Sequence, residues 1–509
     1  MKPSRTTRIA KQPKTSKTSK NAKTTKTAKT AKTANAKAPT AKAPTKSASH
    51  ARAKPSPPSS PAEKEEKVEG TTKAKAKRAA AKISRTKARP KEFQPVRLLN
   101  VDIQLGESIL PVGRLAWQDR QILFEYLPVF VERGLPISPF HLPVKPGVTY
   151  GDPTIFDGLM GVFNDSLPDG WGRLLLDRKL AQLEILPGAL TPIDRLAYVG
   201  ENGAGALRYR PEHEREPDIV SIDLDALAED ARSVLDGGSS EVLDRLLSLG
   251  GSSGGARPKI VAACSADRTR LVTGNQALRP GFSHWLIKFR SSFDPPDVGA
   301  IEHAYSAMAR AAGIDMAATH LFPARSGPGY FGTERFDRRG NARVHVHSAC
   351  GLLKADFRIP SIGYLELLKA TRLLTRNQLE VDRMFRRMVF NVFAKNRDDH
   401  TKNHAFILEE DGTWHSSPAF DLTFSAGSGG EHALDVAGEG RAPGLAHIEE
   451  VARQSGVHAN TARTCVDEVK HAVDQWPAFA SASGVSASSA ATVDMQLNGR
   501  RRASRLKSK

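Results

Sequence analysis

Apolar and polar positions become periodic only from about residue 95. Residues 96–117 and 122–126 alternate, the period of strands with one buried face, and Gly106 and Gly113 are expected at turns. A proline-rich irregular stretch follows at 128–146, then helical spacing over 155–167. Residues 164–173 (NDSLPDGWGR) read as a turn-rich element around Pro168, Asp169 and Gly170. Leu174, Leu175, Leu176, Leu180 and Leu183 then mark an amphipathic helix. Thr191 as N-cap and Pro192 at the first helical position predict a helix over 192–199. A strand is expected at 206–209, and helices at 223–235 and 241–249, the second closed by Gly250.

The second half of the chain opens with a Gly/Ser loop at 250–259 leading into an apolar strand at 260–263. Backbone N–H groups of such a loop suit a phosphate, although most Gly-rich loops are linkers and no Gly-Lys-Ser/Thr follows. Lys288 stands alone in the apolar strand 284–289, where a lysine either snorkels at an edge or pairs with an anion. Glu302 opens a helix over 301–312. Residues 330–338 and 344–347 read as strands, and 364–374 and 379–393 as helices. The stripe from Val381 to Phe393 is core packing, and it delivers the chain directly to Asp398. Helices are expected again at 449–455 and 461–473. Beyond Ala478 the chain turns Ser/Ala-rich and then basic, a composition that predicts disorder.

Between Asp398 and Asp421 the pattern is that of a hairpin: an apolar strand at 404–408, a turn with Asp411-Gly412, and a second strand at 413–414. Its ends would bring Asp398, Asn403 and Asp421 together. An Asp to take a hydroxyl proton, with Asn and Asp oxygens for Mg²⁺, is the ligand logic of phosphoryl transfer. Two other readings stand beside it. One is an acidic solvated turn; the other is a transition-metal hydrolase using Asp398, Asp399, His400 and His404. A Gly loop, a strand Lys and a helix Glu in this order match the upper half of a kinase site.

Charge changes the picture at one end only. Residues 1–91 hold 27 of the 75 Lys and Arg but 4 of the 55 Asp and Glu, a net of +23, which leaves the other 418 residues at −3. Residues 1–93 repeat Lys-Thr-x or Lys-Ala-x with almost no large apolar side chain, so burial cannot offset the entropy of ordering them. A disordered basic N-terminal tail is expected, suited to nonspecific DNA through counterion release, with an acidic protein as the rival partner. Cys264, Cys350 and Cys465 are far apart, which suggests a reducing compartment without a disulfide framework or zinc site. No run of 18 apolar residues or secretory h-region is present, so the expected location is cytoplasmic and away from membranes, with the tail offering nucleoid association.

Six motifs occur in order: FNDSLPDGWGR at 163–173, GARPK at 255–259, IKF at 287–289, ERFDR at 334–338, DDHTKN at 398–403 and SPAFD at 417–421. Together they resemble the HipA family, the serine/threonine kinase toxins of bacterial type II toxin–antitoxin modules, over roughly residues 96–476. The resemblance implies an α+β, bilobed, protein-kinase-like fold with an N-terminal mixed subdomain. With the two tails read from composition, the expected division is a disordered basic tail (1–93), that subdomain (94–215), an N-lobe with a Gly-rich ATP loop (216–336), a C-lobe with the catalytic and metal sites (337–478) and a disordered basic C-terminal tail (479–509).

The resemblance also implies ATP and Mg²⁺ as cofactors. Asp398 matches the catalytic base, Asn403 and Asp421 the Mg²⁺ ligands, and Lys288 the phosphate lysine. Gly254, Gly255, Ala256, Arg257 and Lys259 fall on the ATP loop; Glu334, Arg335 and Phe336 fall on the adenine-cradling strand. His400, Lys402 and Phe420 complete the ATP-binding set. Ser252, or its neighbour Ser253, matches the autophosphorylated serine. Phosphate there would add nearly two negative charges beside those of ATP and eject the loop, switching the kinase off. The implied partners are a separate DNA-binding, HipB-like antitoxin and a protein substrate, an aminoacyl-tRNA synthetase such as glutamate–tRNA ligase. No helix-turn-helix is recognisable.

Some features depart from the family pattern. The basic tail is foreign to it, Pro258 removes an N–H donor from the ATP loop, and Asp399 doubles the acid beside Asp398 and is expected to face solvent. A second functional reading follows from the tail: a nucleoid-associated nucleic-acid-binding protein that uses the kinase fold as a scaffold.

Overall fold

A computed structural model describes residues 94–211, 221–238, 240–250, 254–274 and 277–507. The chain divides into Met1–Thr86 and Lys87–Lys509, and every described residue belongs to the second unit. The tail expected over 1–93, and Ser252 and Ser253, lie outside the described residues.

The architecture is α+β. The first sheet runs Val148–Tyr150, Gln121–Tyr126, Ser108–Gln118, Leu98–Leu105, Leu207–Arg210, antiparallel throughout. Leu99, Leu115 and Phe124 share one row across it, and all three are buried. Gly106 sits at a turn with φ +57°, as the pattern predicts. Gly113 does not: it lies within the strand Ser108–Gln118, where a Cβ would strike the Phe124 ring. A glycine chosen for packing is indistinguishable from a turn glycine in one sequence.

The helix expected over 155–167 is broken into Phe156–Gly158 and Gly161–Asn164. Phe156, Asp157 and Gly158 all take positive φ, which no continuous helix permits. The next helix starts earlier than its leucines indicate, at Gly170–Gln182, so Trp171 and Arg173 are helical. Thr191 caps Pro192–Val199 in a full capping box with Asp194.

A second antiparallel sheet runs Leu271–Thr273, Lys259–Ser265, Phe282–Lys288, Tyr330–Glu334, Thr319–Phe322. Its core includes Ile260, Trp285 and Phe322, and it also takes Trp171, Leu175, Leu176 and Leu180 from the helix Gly170–Gln182. The packing therefore does not follow the linear division at residue 215: a helix from the first segment covers the sheet of the second. Burying each such side chain contributes about 1.5–3 kcal/mol. The helix Val298–Ala311, in turn, packs into the larger core with Gln378–Ala394 and Ala459–Asp474. The expected hairpin forms from Ala405–Leu408 and Trp414–Ser416, with His345–Ser348 as a third strand.

The C-terminal segment corrects the expectation of disorder. It forms two helices, Trp476–Ala482 and Ala487–Lys507. Trp476 is fully buried and donates Nε1–H to the Ala490 carbonyl at 3.0 Å. Asp297 accepts from Ser486 N and Ser489 Oγ at 2.8 and 2.9 Å. Small Ala and Ser side chains read as low complexity, yet they allow this close approach. Among the described residues, no helix is long and apolar enough to cross a membrane.

Candidate active site

A cavity of about 740 Å³ opens between the second sheet and the hairpin. Every described site candidate lines it, from Gly254 to Lys259 on one side and Asp398 to Asp421 on the other.

Lys288, the last residue of its strand, neither snorkels nor stands free. Its ammonium pairs with Glu302 Oε1 at 2.6 Å and also with Asp421 Oδ1. Burial would lower the Lys288 pKa, but Asp421 and Glu302 outweigh it and hold it above the ordinary lysine value. Burial would likewise raise the Asp421 carboxyl, yet Lys288 and Lys259 keep it well below the usual carboxylate range. Asp421 also holds φ +54°, a left-handed backbone that side-chain-bearing residues rarely adopt and that recurs at functional sites.

Lys259 faces Lys288 in register across paired strands. Burial and the neighbouring Lys288 charge bring its pKa down to about 8 from 10.5, with Asp421 only partly opposing. Its ammonium donates to the Gly254 carbonyl, inside its own loop. The rest of that loop is also held. Trp171 N donates to Gly255 O at 2.9 Å, Gly255 N donates to Asp169 Oδ1, and Arg257 pairs with Asp294 through Nε and Nη2.

The opposite wall begins where the helix Gln378–Ala394 ends in Lys395, a left-handed C-cap. Asn396 and Ser425 form a parallel bridge, fixing the entry to the 398–403 loop beside the segment that follows Asp421. Asp398 is 67% exposed at its side chain, with His400 Nε2 at 3.9 Å. Asn403 donates Nδ2–H to the Asp398 carbonyl at 2.8 Å, which leaves Oδ1 as the end available to a cation. An amide oxygen and a carboxylate fit a hard ion such as Mg²⁺, which shares its shell with phosphates. At the far end the Phe336 and Phe420 rings lie 5.6 Å apart, while the Arg335 guanidinium is committed to Asp337 at 2.7 and 2.9 Å.

A model of the HipA-like C-terminal domain matches residues 251–476, and one of the HipA N-terminal domain matches residues 102–210. The chain belongs to the HipA family. Among solved structures it is similar to a chain of the Shewanella oneidensis MR-1 toxin–antitoxin complex of HipA, HipB and operator DNA. The match has 17% identity and a TM-score of 0.59, and covers 79% of this chain and 96% of that one. At that identity the likeness is one of fold. The Helicobacter pylori proinflammatory kinase CtkA matches at 11% identity over 42% of this chain and 92% of its own, but a TM-score of 0.26 carries no argument. No curated protein matches the chain.

Within this HipA-family site, two residues play parts that the sequence reading did not give them. Asp169, read as a turn residue, lines the cavity and holds Lys402 at 2.6 Å as well as the Gly255 N–H. It occupies the N-cap of Gly170–Gln182 without making a capping bond, because its carboxylate is spent on the site. An N-cap aspartate diverted in this way leaves no mark in the sequence.

Asp399 does not face solvent. It is fully buried and accepts from Tyr364 Oη at 2.6 Å, His432 Nδ1 at 2.9 Å and Ala433 N at 2.8 Å. His404 is buried against the Tyr364 ring. The four residues of the metal-hydrolase reading therefore do not converge, and no group of three or more His, Cys, Asp or Glu among the described residues is placed to hold a metal. Ser138, His347 and Asp165 do line up at 3.0 and 2.7 Å in the order of a hydrolase triad. Ser138 is only 2% exposed and His347 is sealed, so this relay ties chain segments together rather than meeting a substrate.

Proposed function

We propose that this HipA-family protein is an ATP- and Mg²⁺-dependent serine/threonine protein kinase acting as the toxin of a toxin–antitoxin pair. The observation that carries the reading is the Lys288–Glu302 pair at 2.6 Å meeting Asp398, Asn403 and Asp421 around one cavity. Bound Mg²⁺–ATP would supply the phosphoryl group and the charge that neutralises it. Lys288 and Lys259 would hold the phosphates, and Glu302 keeps Lys288 aimed. Asn403 Oδ1 and Asp421 would hold the cation. Asp398, the exposed carboxylate, would accept the proton of the substrate hydroxyl. Glu334, Arg335, Phe336 and Phe420 form the adenine end. Catalysis on this plan is positioning and charge neutralisation.

The finer points rest on the family resemblance. The substrate is proposed to be an aminoacyl-tRNA synthetase, such as glutamate–tRNA ligase, with Ser252 or Ser253 as the self-limiting phosphorylation site. A HipB-like antitoxin is the proposed partner, in line with the composition of the S. oneidensis complex. The test is to incubate the purified protein with ATP and Mg²⁺ and map phosphate by mass spectrometry, with Asp398→Asn and Asp421→Asn in parallel. Phosphate transfer that disappears in both variants is expected; full transfer by Asp398→Asn would sink the assignment of the base.

The net charge of +23 on residues 1–91 supports a second role, concentrating the protein on DNA. Deleting those residues should weaken nonspecific DNA binding and flatten its salt dependence while kinase activity persists. If deletion abolishes function and Asp421→Asn does not, the scaffold reading replaces the kinase.

A further inference from the structure

The pair Asp398-Asp399 sends its two carboxylates in opposite directions. Asp398 opens to the cavity with its side chain 67% exposed, whereas Asp399 is 0% exposed. The buried one is fully occupied. Oδ2 takes the Tyr364 hydroxyl at 2.6 Å and His432 Nδ1 at 2.9 Å, and Oδ1 takes the Ala433 amide at 2.8 Å. Tyr364 Oη in turn accepts from Asn391 Nδ2 at 2.8 Å, and Asn391 Oδ1 accepts from Asn396 Nδ2 at 3.0 Å. The chain of bonds thus returns to the loop two residues before Asp398.

The partners come from three places in the sequence. Tyr364 opens the helix Tyr364–Thr375, Asn391 lies in the helix that precedes the loop, and His432 and Ala433 belong to the stretch beyond Asp421. That stretch is itself braced. His432 N donates to Gly440 O at 2.8 Å, Tyr364 N donates to Asp435 O at 2.9 Å, and Arg397 Nη1 reaches the Ala426 carbonyl at 3.1 Å. A buried carboxylate with three donors is costly to disturb, because any donor left unpaired keeps its full desolvation cost.

Resting on the kinase reading above, we infer that Asp399 is a positioning residue: through His432, Ala433 and Tyr364 it locks the catalytic loop to the segment after the metal aspartate. It touches neither ATP nor substrate. It fixes the backbone from which Asp398 and Asn403 project, so the 398–403 loop and the segment after Asp421 share one frame. A base displaced by about 1 Å loses on the order of a hundredfold in rate.

The experiment compares wild type, Asp399→Asn and Tyr364→Phe in steady-state phosphoryl transfer and in hydrogen exchange. Asp399→Asn should lower kcat about a hundredfold and raise the KM for Mg²⁺–ATP by much less, since the Gly254–Lys259 side, Lys288 and Glu302 are untouched and only Asn403 shares the displaced backbone. Tyr364→Phe keeps the ring and removes one donor; its kcat should fall less, again with the smaller effect on KM. In both variants amide exchange should quicken together at 398–403 and 431–435 and stay as it was in the first sheet. An unchanged kcat in a folded Asp399→Asn protein would overturn the inference. So would kcat and ATP affinity falling to the same extent, with a general rise in exchange. If Asp399→Asn does not fold, Tyr364→Phe decides by the same measures. Should wild type transfer no phosphate at all, the kinase reading fails, and the locking of the two segments is judged by their joint exchange alone.

Discussion

The Asp169 carboxylate lies 2.6 Å from the Lys402 ammonium, joining the start of a helix in the N-terminal region to the loop that bears Asp398. Its other oxygen takes the Gly255 N–H, so one side chain holds both the Gly254–Lys259 side and the Asp398–Asn403 side of the cavity. Both partners are largely buried, and Asp169→Ala strands the lysine. A stability loss of about 2–4 kcal/mol is expected, read by urea unfolding, with faster exchange of the Gly255 amide. Burial would raise the Asp169 pKa, but Lys402 and the Gly255 N–H hold it below its ordinary 3.8. Its contribution is therefore complete above about pH 4 and is lost as pH falls through the lowered value. An unfolding curve unchanged by the substitution would rule the link out.

Glu302 keeps Lys288 shared between two carboxylates. In Glu302→Gln the ammonium has only Asp421 as an anionic partner and would compete with the cation for it. Mg²⁺–ATP affinity should fall about 10- to 100-fold, measured by calorimetric titration, while the melting temperature changes little. Equal affinity in the variant would remove Glu302 from the binding machinery.

Lys259 predicts a pH effect of definite sign. Its pKa of about 8 in the folded protein lies below the ordinary 10.5. Between those values the folded state binds fewer protons than the unfolded one, so this group makes stability rise with pH across that window; below pH 8 its cost is complete. An anionic ligand favours the charged form. ATP affinity should hold steady below pH 8 and decline above it, with proton uptake on binding at about pH 8.5. Titrations in two buffers of different ionisation enthalpy measure that uptake, and Lys259→Met should abolish it.

Asp337 is a buried carboxylate between Arg335, at 2.7 Å, and Arg338, at 2.9 Å, and it also accepts the Gly205 N–H at 2.8 Å. Burial would raise its pKa, but the two guanidiniums hold it far below the usual range. Asp337→Ala takes the anionic partner from both guanidiniums at the junction with the first sheet, leaving Arg338 only carbonyl acceptors such as Gly203 and Gly205, each at 2.9 Å. We expect a loss of about 3–5 kcal/mol, seen as a large fall in the urea midpoint. A change under about 1 kcal/mol would show that water replaces the carboxylate.

Much of the site was legible in the sequence because it is built from local patterns. The helix Gln378–Ala394 follows from its apolar stripe, and the hairpin from an apolar run and an Asp-Gly turn. Together they place Asp398, Asn403 and Asp421 on one cavity. The order of Gly loop, strand lysine and helix glutamate was enough to suggest the Lys288–Glu302 pair. What the sequence could not give is direction. Asp398 and Asp399 are adjacent and chemically identical, and only the packing of Tyr364, His432 and Ala433 decides that one is exposed and the other sealed.

The same limit explains the remaining differences. Asp169 looks like any turn residue, Gly113 like any turn glycine, and the Ser/Ala-rich C-terminus like a tail. Their roles depend on Gly255 and Lys402, on Phe124, and on Asp297 and Trp476, partners distant in sequence. By itself the sequence determined most of the elements and the order in which they carry the candidate site residues, because helix and strand periods and turn residues act over a few positions. The tertiary structure alone decided which carboxylates face the cavity and which hold the frame, because burial and hydrogen-bond partners are set by residues far apart in the chain.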